Sequence, residues 1–339
     1  MPKKNCSIDI FRYIGALMVM SIHIHPFEDI SDFWGKEFRS VFPRIGVPFF
    51  FCAAGYFYIR KLMKGKDPFL PYMKRLLTTY FVWSCVYYVV DFLEWGRSDI
   101  KGFVKSCIYR FVVSGSHFHF WFFPALILAV IVVTILFKLR LQALILPMCL
   151  ALQVIGCLGA SYYGIGSRIP VLNRVFVRDD YKLIRTLLFM GIPYFSAGYA
   201  VAKIENTKWY RGLKDSVRIA AMAAAVVLWR AEIYVVVKTG MSRSVVITPG
   251  LYLMLIVLML FLISFPMYQW EKAADFCKTA AGFTYYIHPL FIWAIDRMSD
   301  EMHFVVTNTP RYALIWTATF LLALLIHKSD NKYLKMVCS

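Results

Sequence analysis

Apolar runs of about the length that crosses a bilayer recur from one end of the chain to the other, separated by short, mostly basic segments. Set against a span of about 20 residues, they predict ten helices, covering roughly 8–26, 46–63, 76–92, 118–137, 141–160, 185–204, 217–238, 246–266, 280–296 and 311–327. The run 141–160 contains Pro147 and several glycines, which predicts a kink. The segment KGFVKSCIYRFVV (101–113) alternates its apolar and charged positions at helical spacing, the pattern of a helix lying on a membrane surface rather than crossing it.

Composition supports that pattern. The 339 residues are 60% hydrophobic and 17% aromatic, beyond what a soluble domain with a polar surface to fill ordinarily reaches. The expected fold class is all-α, a polytopic membrane protein of about ten transmembrane helices forming one integral membrane domain over 1–339. The net charge of +18 raises nucleic acid as a partner, but the Lys and Arg residues sit between apolar runs, as in cytoplasmic loops facing anionic lipid. The lipid bilayer is the expected partner, and nucleic acid is not. The first apolar run is too long for a signal peptide and no small-residue cleavage site follows it, so it is expected to remain. The eight cysteines are scattered without a CxxC pair, so neither a disulfide framework nor a zinc site is expected.

Charge asymmetry sets the orientation. The segment 60–75 carries six Lys or Arg, whereas 25–44 carries three, diluted by four acids. By the positive-inside rule, 60–75 and both termini are cytoplasmic in a plasma membrane, with 27–45 outside. The 161–184 segment, on the outer side in this reading, is itself basic, which weakens the bias there.

Titratable residues inside the first run are the leading candidates for chemistry. IDIFRYIGALMVMSIHIHP (8–26) holds Asp9, Arg12, His23 and His25. Side chains eleven apart on an α-helix lie about 20° apart in azimuth and about 16 Å apart along the axis, the relation of Arg12 to His23. Asp9 falls within about 40° of His23 and one turn from Arg12, so it can pair with the guanidinium. His25 lies about 200° round from His23, next to helix-ending Pro26 at the interface. A structural ion pair could account for Asp9 and Arg12, but charges within a span more often mark a substrate path. An Arg near the cytoplasmic end can grip an anionic donor, and a His deeper in the membrane can take a proton from an acceptor hydroxyl.

The pattern IDIFRYIGALMVMSIH resembles the first helix of the acyltransferase 3 family of membrane O-acyltransferases, whose diagnostic feature is an Arg followed eleven positions later by a His; Arg12 and His23 match, and His25 does not. Four further blocks are similar to the family in the same order: RIGVPFFFCAAGYF (44–57), HFWFFPALI (119–127), FMGIPYFSAGYAVAK (189–203) and FTYYIHPLFI (283–292). Within the family, HFWFFPALI and RTLLFMGIPYF look closest to the membrane domain of the membrane-bound serine racemases of vancomycin-resistant bacteria. Those proteins continue into a soluble racemase domain, and other members into an esterase-like domain. The chain is expected to lack both, which leaves the acceptor open.

The resemblance implies an acyltransferase of a bacterial cell envelope, with acyl-CoA, most simply acetyl-CoA, as co-substrate and no resident cofactor. Its acceptor would be an envelope carbohydrate or another small hydroxylated molecule. His23, Arg12 and Asp9 are the implied catalytic residues, and Arg12, Arg44, His119, Trp121 and His288 the residues implied to contact the donor. Bland readings stand beside these. Trp121 suits an interfacial aromatic cluster, His288 a core histidine bonded to a neighbouring helix, and Arg185 a snorkelling interface residue. His117 and His119 lack a nearby carboxylate or cysteine in sequence, so no metal site is expected. Arg230 and Glu232, two apart, face different sides of their helix, and each is expected to find a partner elsewhere. No Gly-rich phosphate loop, HExxH or serine-nucleophile motif occurs. The rival function is a small-molecule or amino-acid transporter module, which would also keep polar residues at mid-membrane. A third reading is a catalytically idle scaffold.

Overall fold

The computed structural model describes residues 5–338. Their regular structure is all helical, with no strand among the described residues. The main helices are α1 (Cys6–Ile24), α2 (Gly46–Met63), α3 (Phe69–Asp91), α4 (Ile100–Tyr109), α5 (Phe122–Lys138) and α6 (Ile145–Leu158), followed by α7 (Ile192–Ile204), α8 (Asp215–Lys238), α9 (Pro249–Ser264), α10 (Glu271–Met302) and α11 (Asn308–Lys328). Each of the ten apolar runs coincides with a helix. By length and composition six helical stretches can cross a membrane, and a seventh counts if 249–264 and 268–302 are taken as one span; α5 and α6 are shorter apolar helices. The chain is a polytopic membrane protein.

One local expectation changes. Pro147 falls in the first turn of α6, after a short 3-10 turn at Gln142–Leu144. The first backbone N–H groups of a helix have no intrahelical partner, so a proline there starts the helix rather than kinking it. The irregularity expected near a proline lies instead at Arg185–Gly191, a π-helical segment two residues ahead of Pro193. Pro193 cannot donate to the preceding turn and crowds its carbonyl, and a wider turn relieves both problems.

Contacts group the chain into two units, 1–50 with 262–339 and 51–261. In the first, α1 packs along α10, and α10 along α11. Met20, Ile24 and Ile315 form a buried cluster that Leu17, Phe291, Ile292, Ile295 and Tyr312 surround. Asn5 caps α1 by accepting from Ile8 N, and its side-chain amide donates to Leu262 O at 3.0 Å. The Tyr312 hydroxyl donates to Leu17 O at 3.0 Å, and Trp316 Nε1 to the Tyr13 hydroxyl at 3.1 Å. Helices α1 and α10 run in the same direction: Tyr13 packs on Phe276 near one end, and His23 on His288 near the other. If both cross the bilayer, an odd number of crossings separates them, as the ten-span reading requires.

The segment after α1 is pinned to the start of α11. Thr309 N donates to Asp29 Oδ2 at 3.0 Å, and Phe27 N donates to Thr309 Oγ1 at 2.8 Å. The side chain of the N-cap residue Thr307 does not cap α11, and Asp29 supplies the missing acceptor from another part of the chain. The Thr309 hydroxyl also donates to Asp29 Oδ1 at 2.5 Å, and this bond, with the backbone one, holds the Asp29 carboxyl below its ordinary pKa.

In the second unit α7 and the π-helical turn before it pack on α5 and α6. A Cβ at Gly55 of α2 would lie 1.9 Å from Phe195 O, and one at Gly198 of α7 would lie 2.2 Å from Tyr56 N, so the two backbones touch where small residues face each other. Nearby, the Tyr56 hydroxyl donates to Glu205 Oε2 at 2.6 Å, while Arg60 bonds both Tyr56 and Glu205. Glu232 accepts from Gly250 N at 2.7 Å and from the Tyr162 hydroxyl at 3.0 Å. Its carboxylate therefore caps the N-terminal end of α9, where helix partial charge favours an anion, and this accounts for an acid within an apolar helix. Helix α4 leaves Ile100, Val104 and Ile108 exposed along one stripe.

Candidate active site

The first unit holds five of the residues singled out by sequence. Asp9 lies in the first turn of α1, where the helix N-terminus favours a carboxylate. Its buried Oδ1 accepts from Arg12 Nη1 at 2.8 Å, with the Arg12 side chain about one-quarter exposed. The pairing gives the buried carboxylate a charged partner and fixes the plane of a guanidinium that still reaches the surface.

Near the opposite end of α1, the His23 ring stacks on the His288 ring of α10, with centroids 5.4 Å apart and planes 22° apart. His288 is fully buried, and its Nδ1 lies 3.0 Å from Thr284 O on the preceding turn. A carbonyl can only accept, so Nδ1 carries the proton and Nε2 of the neutral ring carries the lone pair. Pro289 follows directly and withholds a backbone donor from that turn, so α10 is locally loosened beside the histidine pair.

Arg44 belongs to the 3-10 turn Phe42–Ile45; its Nε donates to Ser40 O at 3.3 Å, and its charge acts on His23. A close approach makes this possible. A Cβ at Gly46 would lie 2.8 Å from Gly15 O and 3.0 Å from Val19, so the start of α2 sits directly on α1 and brings Arg44 toward the half of α1 that carries His23. Ser21 Oγ further ties α1 to Phe38 O at 2.8 Å.

His25 is placed apart. It ends α1 in the left-handed conformation (φ 56°), its N–H bonding back to Ser21 O, and its ring lies 3.8 Å from the Glu28 carboxylate. Of the two histidines, His23 is the one that lies within the helix and packs against α10.

His119 and Trp121 lie in the second unit. His119 is buried among His117, Tyr87 and Phe120, with its Nδ1 3.1 Å from that of His117. Trp121 packs at 6.1 Å on Phe51. The turn leading to them needs Gly115 (φ 96°), where a Cβ would lie 2.4 Å from Trp121 N. Three features beside the first unit's site escaped the sequence reading: the Thr284 carbonyl that orients His288, Tyr285 packed between Phe50 and His288, and Glu37, a carboxylate buried in the π-helical turn Glu37–Val41. Thr284 and Tyr285 lie in the quoted block FTYYIHPLFI, and Glu37 is an acid among aromatic residues, but the sequence singles out none of them. The roles of Thr284 and Tyr285 depend on which turn of α10 faces α1.

Known proteins extend this picture. The chain is 26% identical over 342 residues to an amino-acid racemase of Enterococcus faecalis, a match that covers 96% of this chain and 46% of that protein. A serine/alanine racemase of Enterococcus gallinarum is 27% identical over 176 residues, covering 50% of this chain and 25% of its own length. The chain thus spans less than half the length of these relatives. No solved structure matches it. The family model described as an acyltransferase domain matches residues 5–328, nearly the whole chain and every helix from α1 to α11. This polytopic chain accordingly belongs to the acyltransferase 3 family of membrane acyltransferases.

Proposed function

We propose that the protein moves an acyl group, most simply acetyl, from acyl-CoA to a hydroxyl of a cell-envelope carbohydrate or related acceptor at the bacterial plasma membrane. The observation that carries this reading is the stacked pair His23–His288, set along α1 from the Asp9–Arg12 pair. Arg12 would hold a donor phosphate through its guanidinium, whose plane Asp9 fixes. The pantetheine arm separates the phosphates of CoA from its thioester, so an anchor and a base some eleven residues apart on one helix suit such a donor. His23 takes the proton of the acceptor hydroxyl as its oxygen attacks the thioester carbonyl. The tetrahedral intermediate then expels the CoA thiolate, which leaves with the proton held by the imidazolium. The ester C–O bond forms, the C–S bond breaks, and the histidine returns to its neutral state. His288, buried and fixed in tautomer, positions the His23 ring by stacking.

Purified protein supplied with radiolabelled acetyl-CoA and envelope extracts tests this reading, with acid-stable label on an acceptor as the expected product. Arg12→Lys keeps the charge but loses the planar fork. It should raise the KM for acyl-CoA about tenfold with normal membrane insertion, the loss of roughly one charge-assisted hydrogen bond. An unchanged KM would remove Arg12 from the donor site.

The donor must enter from the cytoplasm, so orientation is part of the proposal. A cysteine placed at Lys64 should resist a membrane-impermeant maleimide in intact cells, while one placed at Ser31 should react. The reverse pattern would place the Arg12 end outside and exclude cytoplasmic acyl-CoA.

A second reading is favoured by one observation, that the curated relatives are named amino-acid racemases. It makes this chain a membrane module that moves an amino acid such as serine. No proton transfer to His23 is then needed, and a His23→Gln protein would keep its activity.

A further inference from the structure

The second unit holds two arginines that no carboxylate neutralises among the described residues, and they converge on one tyrosine. Arg243, in the stretch between α8 and α9, is fastened by its main chain to Ala160 O at 3.0 Å, while its Nη1 donates to Phe176 O at 2.9 Å. Its guanidinium lies over the rings of Tyr163 and Tyr181, at 5.4 and 5.9 Å. Arg185 opens the π-helical turn one helical turn after Tyr181, and its charge acts on both Tyr181 and Arg243. Of the acids in this part of the chain, Asp180 pairs with Arg178 at 2.7 Å and Glu232 caps α9, while Asp179 is exposed.

Two polar atoms in this cluster are buried without a hydrogen-bond partner, Arg185 Nε and the Tyr181 hydroxyl. The Tyr181 hydroxyl reaches over Gly159, where a Cβ would lie 1.9 Å from it. Buried donors are ordinarily satisfied, and the charge of the partly buried Arg185 is repelled by that of Arg243 beside it. Snorkelling alone would not hold the Arg243 head over Tyr181 and on the Phe176 carbonyl, nor bury Arg185 Nε. A single acceptor group bearing negative charge removes all three costs, because it takes an N–H from each guanidinium and the hydroxyl proton together.

We propose that Arg185, Arg243 and Tyr181 form a binding site for an oxyanion, the phosphate or carboxylate group of a ligand. The Phe176 carbonyl and the tyrosine rings hold the Arg243 fork in place, so the site is largely ordered before the ligand arrives. The π-helical turn is a feature often found at functional sites, and here it presents Arg185 beside the oxyanion. The oxyanion can belong to a free solute or to the headgroup of an anionic lipid, since the cluster lies where helices meet loops.

The test uses the purified full chain and reads binding without turnover. Acyl transfer can therefore fail while the site stands, and the site can fail while transfer stands. Inorganic phosphate and acetate are titrated in detergent against chloride at equal ionic strength, following the unfolding temperature. In parallel, native mass spectrometry counts phosphatidylglycerol retained from nanodiscs that also contain phosphatidylcholine. The expected result is saturable stabilisation by a solute, or selective retention of phosphatidylglycerol. Arg243→Gln and Arg185→Lys should each weaken it about tenfold, the loss of one charge-assisted bond. Arg243 is exposed, so its variant is expected to fold even if the Arg185 variant does not. A solute response identifies a soluble ligand, and lipid retention alone identifies a headgroup. If neither probe binds selectively, or if binding is equal in wild type and Arg243→Gln, the site does not exist.

Discussion

His23→Gln should lower acyl transfer by about 10²–10⁴-fold, the usual contribution of general-base catalysis, with little change in expression or in KM for acyl-CoA. Glutamine keeps a similar size and one hydrogen-bonding edge, so the packing of α1 against α10 should survive. It cannot accept a proton near neutral pH, and the hydroxyl would attack unassisted. His25→Gln supplies the contrast. Its ring lies beyond the end of α1, near Glu28, and turnover should change less than about twofold, as expected of a surface substitution. Transfer of label from acetyl-CoA measures both variants. Near-normal turnover in His23→Gln with a dead His25→Gln would overturn the assignment along α1. Full biological activity in both would favour transport over transfer.

Gly198→Leu should abolish the folded second unit. Its Cβ would stand 2.2 Å from Tyr56 N and 2.6 Å from the Gly55 carbonyl carbon, and neither is a side chain that can swing aside. Overpacking ordinarily costs about 1–3 kcal/mol when side chains can adjust, and a backbone-to-backbone crossing leaves less room than that. Even Gly198→Ala should lower the unfolding temperature, whereas Gly212→Ala, whose Cβ would meet nothing closer than 3.4 Å, should leave it nearly unchanged. Fluorescence-detected size exclusion of the three variants gives the comparison. A monodisperse Gly198→Leu protein with wild-type yield would show that α2 and α7 do not cross at this point.

Much of the architecture was legible because the bilayer imposes a simple rule. A backbone in hydrocarbon must satisfy its own hydrogen bonds, so a long apolar run can be little else than a helix, and all ten runs are helical. The helical period also placed Asp9 beside Arg12 and set His25 apart from His23, since both relations are local to one helix. Position within a helix was harder to read than its existence. Pro147 looked like a kink from composition, yet it lies in a first turn where its missing N–H matters little, while Pro193 has a π-helical turn ahead of it. The boundary decided the outcome, and boundaries depend on packing.

What the sequence by itself determined is the class of protein, its apolar runs and the stripe of Asp9, Arg12 and His23, because these follow from hydrophobic length and a 100° turn per residue. Only the tertiary structure decided that His288 is the ring against His23, that Arg44 reaches the same end of α1, that Glu232 caps a helix eighteen residues away, and that Arg185 and Arg243 share a tyrosine. Those pairings join residues far apart in the chain. They depend on where Gly46 meets Gly15 and where Gly198 meets Gly55, contacts between small residues that hydropathy cannot register because the lipid is as apolar as the side chains that would take their place.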